Sequence, residues 1–397
     1  MNTEIDKLLD ALLKEIKDPK DFESVQDQLM KRGIQALLKA ELEAHLGYPS
    51  GGKPTGDNTR NGYSEKTLST SQGQVVIDVP RDRNGSFEPV IVPKHTTMTG
   101  KLEDSINLLY AKGMTNADIV DFMNKTYGVT YSTSQISVIT NRLLDDIKQW
   151  QSRPIDSAYA VLWVDAIHYK IRHEGRVITK AAMLIMGINL EGEQDMLGIY
   201  ICENESAASW SQIFTDLKSR GLEDSLFLCS DNLSGLQAAV EANFPNTVHQ
   251  ICIVHQVRNS LKFVPHKDKK QVLSEIKAIY QADNVQMAKD ALNSFKTTWG
   301  HKYHKIVQSW ETNWEALTAF LDYPHEIRKL IYTTNVIESF NSCLRKYTSS
   351  KKVFPNDDAA IKSIYLALQQ IRPKWNKSRF NWGQIYNQLY IHFENRL

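Results

Sequence analysis

Beyond Arg153-Pro154, three apolar stretches of strand length, AVLWVDAIHYKIR, VITKAAMLIMGINL and DMLGIYICEN, follow one another with Gly-containing turns between them. Runs of this kind, bounded by turn residues, read as consecutive strands of one sheet. An amphipathic helix, SAASWSQIFTDLKSRG, leads to the strand LFLCSD, then to the helix LSGLQAAVEANF and the strand TVHQICIVH. Three meandering strands followed by alternating helix and strand restrict this region to a mixed sheet covered by helices, an α/β arrangement. Residues 256–330 revert to helices with Trp299, Trp310 and Trp314 in their apolar pattern. TTNVIESFNSCLRKY is a further helix that Thr334 or Asn335 could cap, and helices with Trp375 and Trp382 end the chain.

Ahead of the sheet the periodicity is mainly helical. Leu8, Leu9, Leu12, Leu13 and Ile16, then Ile34, Leu37, Leu38, Leu42 and Leu46, recur at helical spacing and predict a helical pair. HLGYPSGGKPTGDNTRNGYSEK is rich in Gly, Pro, Asn and Asp and reads as an exposed loop carrying Lys53, Arg60 and Lys66. GQVVIDVPRDRNGSFEPVIV alternates apolar and polar residues about Asn84-Gly85, which predicts a hairpin of 74–79 against 86–92. Residues 102–150 divide into three helices, ending at Gly113, opening at Thr115 and starting at Ser132. Tight turns between short helices match a helix-turn-helix unit, with Ser134, Gln135, Ser137 and Asn141 outward on the third. Candidate DNA contacts are Gln135, Asn141 and Arg142 there, with Arg60 and Lys346 elsewhere.

The chain has 397 residues, 42% hydrophobic and 23% charged, enough for packed cores in two or more domains. Lys plus Arg number 47 against 46 for Asp plus Glu, so a nucleic-acid partner depends on a local basic face and not on the total. Cys202, Cys229, Cys252 and Cys343 are scattered without a CxxC pair, which points to reduced thiols in a cytosolic compartment. The charged N-terminus lacks the apolar run of a signal peptide, and no later segment has the run that a membrane span needs. A soluble intracellular protein is expected.

Asp165 sits in mid-strand beside Trp163, Val164 and Ile167. An ionised carboxylate there is costly unless a hydrogen-bond network or a bound cation compensates. Asp231 ends LFLCSD, where a lone acid would ordinarily cap the next helix. If the two strands are neighbours, however, both acids converge on one sheet edge, a common ligand position in open α/β sheets. Glu338 lies on NVIESFNSCLRKY with Arg345 two turns on, and it is the only acid among six basic residues between Arg328 and Lys352. Three carboxylates suit Mg²⁺ or Mn²⁺ rather than Zn²⁺. Two such ions can clamp the attacking and leaving oxygens of an in-line phosphoryl displacement, so phosphodiester cleavage or strand transfer is implied. Cys252 and His255 are too few for a zinc site and read as support beside these acids. His168 and His173 read as half-exposed strand residues. Trp310 and Trp314 read as core, an aromatic reaching an unpaired base at a DNA end being the alternative.

The order Asp165, Asp231, Glu338 on strand, strand and helix resembles the D-D-E catalytic domain of transposases with a ribonuclease-H-like fold. The block 256–330 resembles the α-helical insertion of Mutator-type bacterial insertion-sequence transposases, and Cys252-Ile-Val-His255 matches their C-x2-H motif. ELEAHLGY, NTRNGYSEKT, VPRDRNGSFEPVIVPK, LYAKGM, YGVTYSTSQIS and YTTNVIESFNSCLRK look like the same family, so the resemblance runs from about residue 40 to 390. It implies a ribonuclease-H-like mixed sheet interrupted by an all-α insertion and preceded by mainly helical DNA-binding units. The expected layout is a helical region with a basic loop (1–73), a hairpin linker (74–100) and a helix-turn-helix-like domain (101–152). The catalytic domain (153–255 and 331–397) follows, split by the insertion (256–330). The implied activity is binding of terminal inverted repeats, then cleavage and strand transfer by Asp165, Asp231 and Glu338 with Mg²⁺ or Mn²⁺, two ions. Cys252, His255 and Arg345 would give support nearby. Double-stranded DNA and further copies of the chain are the implied partners, in the bacterial cytoplasm at the nucleoid. A DNA-binding regulator without catalysis, a ribonuclease-H-like nuclease and a two-acid glycosidase are the rivals. Metal-dependent nicking at a specific DNA end separates the first reading from all of them.

Overall fold

The apolar stretches of the mid-chain form one five-stranded sheet in the computed structural model, which describes residues 16–70, 73–94, 100–262, 264–375 and 381–397, with 11, 13, 14 and 98. The helix expected about Leu8, Leu9 and Leu12 falls on positions outside the described residues. The chain divides into two compact units, residues 1–110 with 114–140, and residues 111–113 with 141–397.

In the first unit, α1 (Pro19–Leu46) starts where the Asp18 carboxylate accepts from the Lys20 and Asp21 amides, and it ends on Gly47 at φ +76°. β1 (Arg60–Thr70) pairs antiparallel with β2 (Gly73–Asp82), which corrects the expected hairpin of 74–79 against 86–92. The segment read as a basic loop supplies the partner strand instead. The reason lies at Glu41, which takes the Val90 and Ile91 amides, and at Asp82. The Asp82 carboxylate accepts from Ser86 N (3.0 Å), Ser86 Oγ (2.8 Å), Phe87 N (3.1 Å) and Asn58 Nδ2 (2.8 Å), taking the amides that a returning strand would use. Burial alone would raise the Asp82 pKa, but these donors outweigh it and hold the group well below the usual carboxylate range. The folded pKa is therefore depressed, so this stabilisation is present above the unfolded carboxylate pKa and is lost as pH falls through the folded one. Asp82→Asn is expected to cost the hairpin about 2–3 kcal/mol, the worth of hydrogen bonds to a charged group. The β1 and β2 amides should then exchange with solvent roughly a hundredfold faster at neutral pH; unchanged exchange would refute the role given to Asp82.

Three helices follow, α2 (Gly100–Ala111), α3 (Asn116–Tyr127) and α4 (Thr133–Asn141). Thr115 and Asp118 form a reciprocal capping box on α3. The third predicted helix breaks at Arg142 and resumes in the second unit as α5 (Leu143–Gln151). Thr140 Oγ1 turns back to the Ser137 carbonyl at 3.2 Å, a side-chain bond that bends a helix.

The second unit holds β3 (Ala158–His173), β4 (Arg176–Asn189), β5 (Gln194–Cys202), β6 (Asp224–Ser230) and β7 (Val248–Ile251), in the spatial order β5-β4-β3-β6-β7. The first three meander antiparallel, and β6 and β7 run parallel to β3. This mixed sheet with helices is the α/β class expected. The strands are apolar where both faces are covered, from Tyr159 to Val164 and from Ala181 to Ile188. Leu162, Val164 and Leu228 pack under Trp210 and Phe214 of α6 (Ala207–Ser219) and Leu236 of α7 (Leu236–Asn243). Trp163, Phe227 and Cys229 face the opposite core, where α14 (Asn335–Thr348) brings Phe340 and Leu344 and α15 (Asp357–Trp375) brings Ile364.

Between β7 and α14 lie α8 (Ile253–Leu261), α9 (His266–Tyr280), α10 (Val285–Trp299), α11 (His304–Thr312), α12 (Trp314–Thr318) and α13 (His325–Ile331), and α16 (Trp382–Phe393) closes the unit. TVHQICIVH is therefore not one strand. Cys252 N makes a last ladder bond to Ser230 O at 2.8 Å, after which Gln256 N bonds the Cys252 carbonyl and the helix begins. Trp310 is fully buried and donates Nε1 to Ser260 Oγ at 3.1 Å, so it packs in the core. No helix among the described residues is long and apolar enough to cross a membrane.

Candidate active site

The parallel ladder between β3 and β6 runs from Ala158 opposite Asp224 to Val164 opposite Ser230. The next residue on each chain is an acid, so Asp165 and Asp231 fall at adjacent positions. Asp231 does not cap the helix behind it, since α7 has Gly235 at its N-cap. Gly235 stands at φ +71° with the Ala207 backbone where a Cβ would be, a position that only glycine fills without strain. Glu338 arrives on the first turn of α14. Thr334, just ahead of that turn, places Oγ1 3.3 Å from both Asp231 Oδ1 and Glu338 Oε1.

Two residues of α8 complete the other side. His255 Nδ1 lies 2.5 Å from Asp231 Oδ1 and 3.5 Å from Glu338 Oε1. One turn on, Arg258 Nη1 lies 3.2 Å from Glu338 Oε2. Asp165 accepts from Ala166 N at 2.7 Å and, through Oδ2, from Asn341 Nδ2. Asn341 is buried one turn beyond Glu338, so it ties the strand acid to the helix that carries the third acid. Its Oδ1 has no hydrogen-bond partner among the described residues.

The electrostatics follow from that crowding. Burial, then the charge of Asp231, push the Asp165 carboxyl up to about 6. Hydrogen bonds to Asp231 and Cys252 push His255 up to about 10, which favours its charged form beside the acids. Burial would raise the Cys252 thiol, but bonds to His255 and Thr334 outweigh it and bring the thiol below its usual range. Asp231, Cys252 and His255 offer ligand atoms within 4.8 Å of one another. That set has too few donors for a closed structural zinc site, and a metal there would have to displace a proton from both His255 and Cys252. Three carboxylates are a hard oxygen set of the kind that takes Mg²⁺ or Mn²⁺, and a cation beside them would offset the Asp231 charge that adds to burial in raising Asp165.

The sequence pattern did not single out Thr334 beyond a cap, and it missed Arg258 and Asn341. The last two had a readable signal. Arg258 is three residues from His255, and Asn341 is three from Glu338, a spacing that puts each pair on one helix face. The first stayed hidden while CIVH was read as strand.

The remaining predicted residues have other surroundings. Arg345 is exposed near Tyr169 of β3, and the acid's cationic neighbour is Arg258. Arg60 donates to the Tyr48 carbonyl at 2.8 Å and stacks on the Tyr48 ring at 4.5 Å, fastening the chain after α1. Gln135 Oε1 accepts from Ser132 N at 2.8 Å while Ser132 Oγ accepts from Gln135 N, a capping box that starts α4. Asn141 Oδ1 accepts from Lys362 Nζ at 2.7 Å. Arg142 and Lys346 are exposed. His168 is exposed and pairs with Glu205 at 3.1 Å.

The family profile described as "Transposase, Mutator family" matches residues 2–378. The chain belongs to the Mutator family of transposases. It is 37% identical over 394 residues to a probable transposase for an insertion sequence element, ISRM3-like, of Sinorhizobium fredii, covering 98% of each chain. It is equally similar, 37% over 395 residues and 98% of each chain, to the transposase for insertion sequence element ISRM3 of Rhizobium meliloti. A probable transposase of Corynebacterium diphtheriae is 36% identical over 338 residues, 80% of this chain and 98% of that one. Membership makes this transposase an enzyme that acts on DNA, and Asp165, Asp231, Glu338, Cys252 and His255 all lie within the matched span.

Proposed function

We propose that this transposase binds the terminal inverted repeats of its own insertion sequence and catalyses metal-dependent strand cleavage and strand transfer, with Asp165, Asp231 and Glu338 as the metal-binding carboxylates of a ribonuclease-H-like domain. The observation that carries the reading is that Asp165 and Asp231 directly follow the last paired residues of two adjacent parallel strands, while the helix of Glu338 is tied to both, to Asp231 through Thr334 Oγ1 and to Asp165 through Asn341. A meander of three antiparallel strands followed by two parallel ones, in the order β5-β4-β3-β6-β7, supports the fold assignment.

Two divalent cations, Mg²⁺ or Mn²⁺, would supply activation of the attacking oxygen and stabilisation of the leaving one when bound. The chain's own residues fix the geometry. Asn341 and the Ala166 amide hold the Asp165 carboxylate at two oxygens, and Thr334 keeps Asp231 and Glu338 facing a common point. His255 and Arg258 neutralise those acids before DNA arrives, and Arg258 is 60% exposed, open to a phosphate. Arg142, Arg345 and Lys346 are the exposed candidates for backbone contact, while Gln135 and Asn141 also carry the structural bonds described above. Two ends must be brought together, so a dimer or larger assembly at the bacterial nucleoid is proposed.

The test is cleavage of a duplex that carries the inverted repeat flanking the gene. With Mg²⁺ or Mn²⁺, nicks that leave 3′-hydroxyls at the repeat boundary are expected, and chelation should abolish them. Binding without nicking in assembled complexes would favour the regulator; nicking indifferent to the repeat would favour a nuclease.

A further inference from the structure

A cavity of about 630 Å³ lies between α8, α9 and α13, within the volume range of small-ligand pockets. Its walls include Val257, Phe320, Tyr280 and Tyr332, with Arg258 and Lys329 among the cations at its lining. One helix serves both places. On α8, His255 faces the acids, and Val257, two residues on, lines the cavity. Arg258 belongs to both, with Nη1 3.2 Å from Glu338 Oε2. The Tyr332 carbonyl accepts from Ile253 N at 3.2 Å, which fixes the cavity wall to the first residue of α8. Arg328 stiffens the far side, donating to the carbonyls of Tyr323 (2.6 Å), Leu321 (2.7 Å) and Asp283 (3.0 Å). Lys329 is exposed.

Aromatic walls with cations beside them match a ligand that has a flat apolar ring and an anionic tail. DNA cut at Glu338 would offer that chemistry beside the cavity, because Arg258 belongs to the lining and to the Glu338 ion pair. We propose that the cavity takes the base of one nucleotide unstacked from the DNA end beside the scissile phosphate, with Tyr280 and Tyr332 against the base and Lys329 on its phosphate. The inference rests on the assignment of Glu338 to the cleavage site. Unstacking costs a few kcal/mol, and contact with an aromatic side chain returns about 1–3 kcal/mol per base.

A cycle with the full-length protein and an end duplex tests this. Tyr280→Ala should slow cleavage of an intact end roughly tenfold to a hundredfold, the equivalent of that contact. With an abasic nucleotide at one position next to the cut, native protein and variant should cleave within about twofold of each other, because the partner of Tyr280 is gone from both. Tyr280→Phe should behave as native, and Lys329→Gln should reduce the salt dependence of end binding by about one phosphate contact. If Tyr280→Ala has no effect, or its deficit survives an abasic nucleotide at every position flanking the cut, the cavity holds no base. The transposase assignment then stands on native cleavage alone. Native protein that binds the end and never cuts it overturns both.

Discussion

Asp231→Asn is expected to leave binding of the DNA end within about twofold of native protein and to slow strand cleavage roughly a thousandfold, since a metal-ligand set supplies several kcal/mol of transition-state stabilisation. The amide keeps the shape of the carboxylate and can still accept from Thr334, so the fold around the ladder between β3 and β6 should persist. Two things change. The charge proposed to bind a cation is gone, and His255, 2.5 Å away, loses its counter-ion. Asp165 simultaneously loses the neighbour whose charge raises it. A gel-shift titration beside a single-turnover cleavage assay separates binding from chemistry. Cleavage within about tenfold of native would leave too little energy for a metal ligand and would return Asp231 to a structural role.

Asn341→Ala is the second large effect. Its Nδ2 is one of two donors that orient Asp165, and the side chain is only 3% exposed, so no solvent molecule replaces it freely. Residues that orient a metal-binding carboxylate from behind typically contribute about 10–100-fold in metal affinity or activity. A loss of that size in cleavage is expected, with a matching rise in the Mn²⁺ dissociation constant measured by calorimetry on the protein without DNA. Asn341→Asp should be worse than Asn341→Ala, because it sets a second carboxylate against Asp165. If Mn²⁺ binds Asn341→Ala as it binds native protein, the amide only packs and the positioning role fails.

Several elements were legible in the sequence for stated reasons. The three apolar strands, the helices of 207–219 and 236–243, and the capped helix at Thr115 each follow from local patterns of period two or period 3.6 and from cap chemistry. The acids stood out because Asp165 interrupts a buried strand and Asp231 terminates another. What failed was pairing. RNGYSEKTLST sits in a Gly- and Asn-rich context and pairs as β1, while the Asp82 and Glu41 carboxylates take the amides of the segment expected to pair. CIVH looks apolar enough for a strand, and its turn into a helix is decided by the end of the ladder at Ser230.

By itself, then, the chain's order of residues determined the α/β class, the helical blocks and the three acids, because periodicity and the cost of burying charge are local properties. Only the tertiary structure decided that Asp165 and Asp231 are adjacent, that Arg258 and not Arg345 sits beside Glu338, and that Asn341 reaches Asp165 across 176 positions. Strand order and helix packing bring those groups together. They are set by which faces can be buried at the same time, a condition that no local stretch of sequence contains.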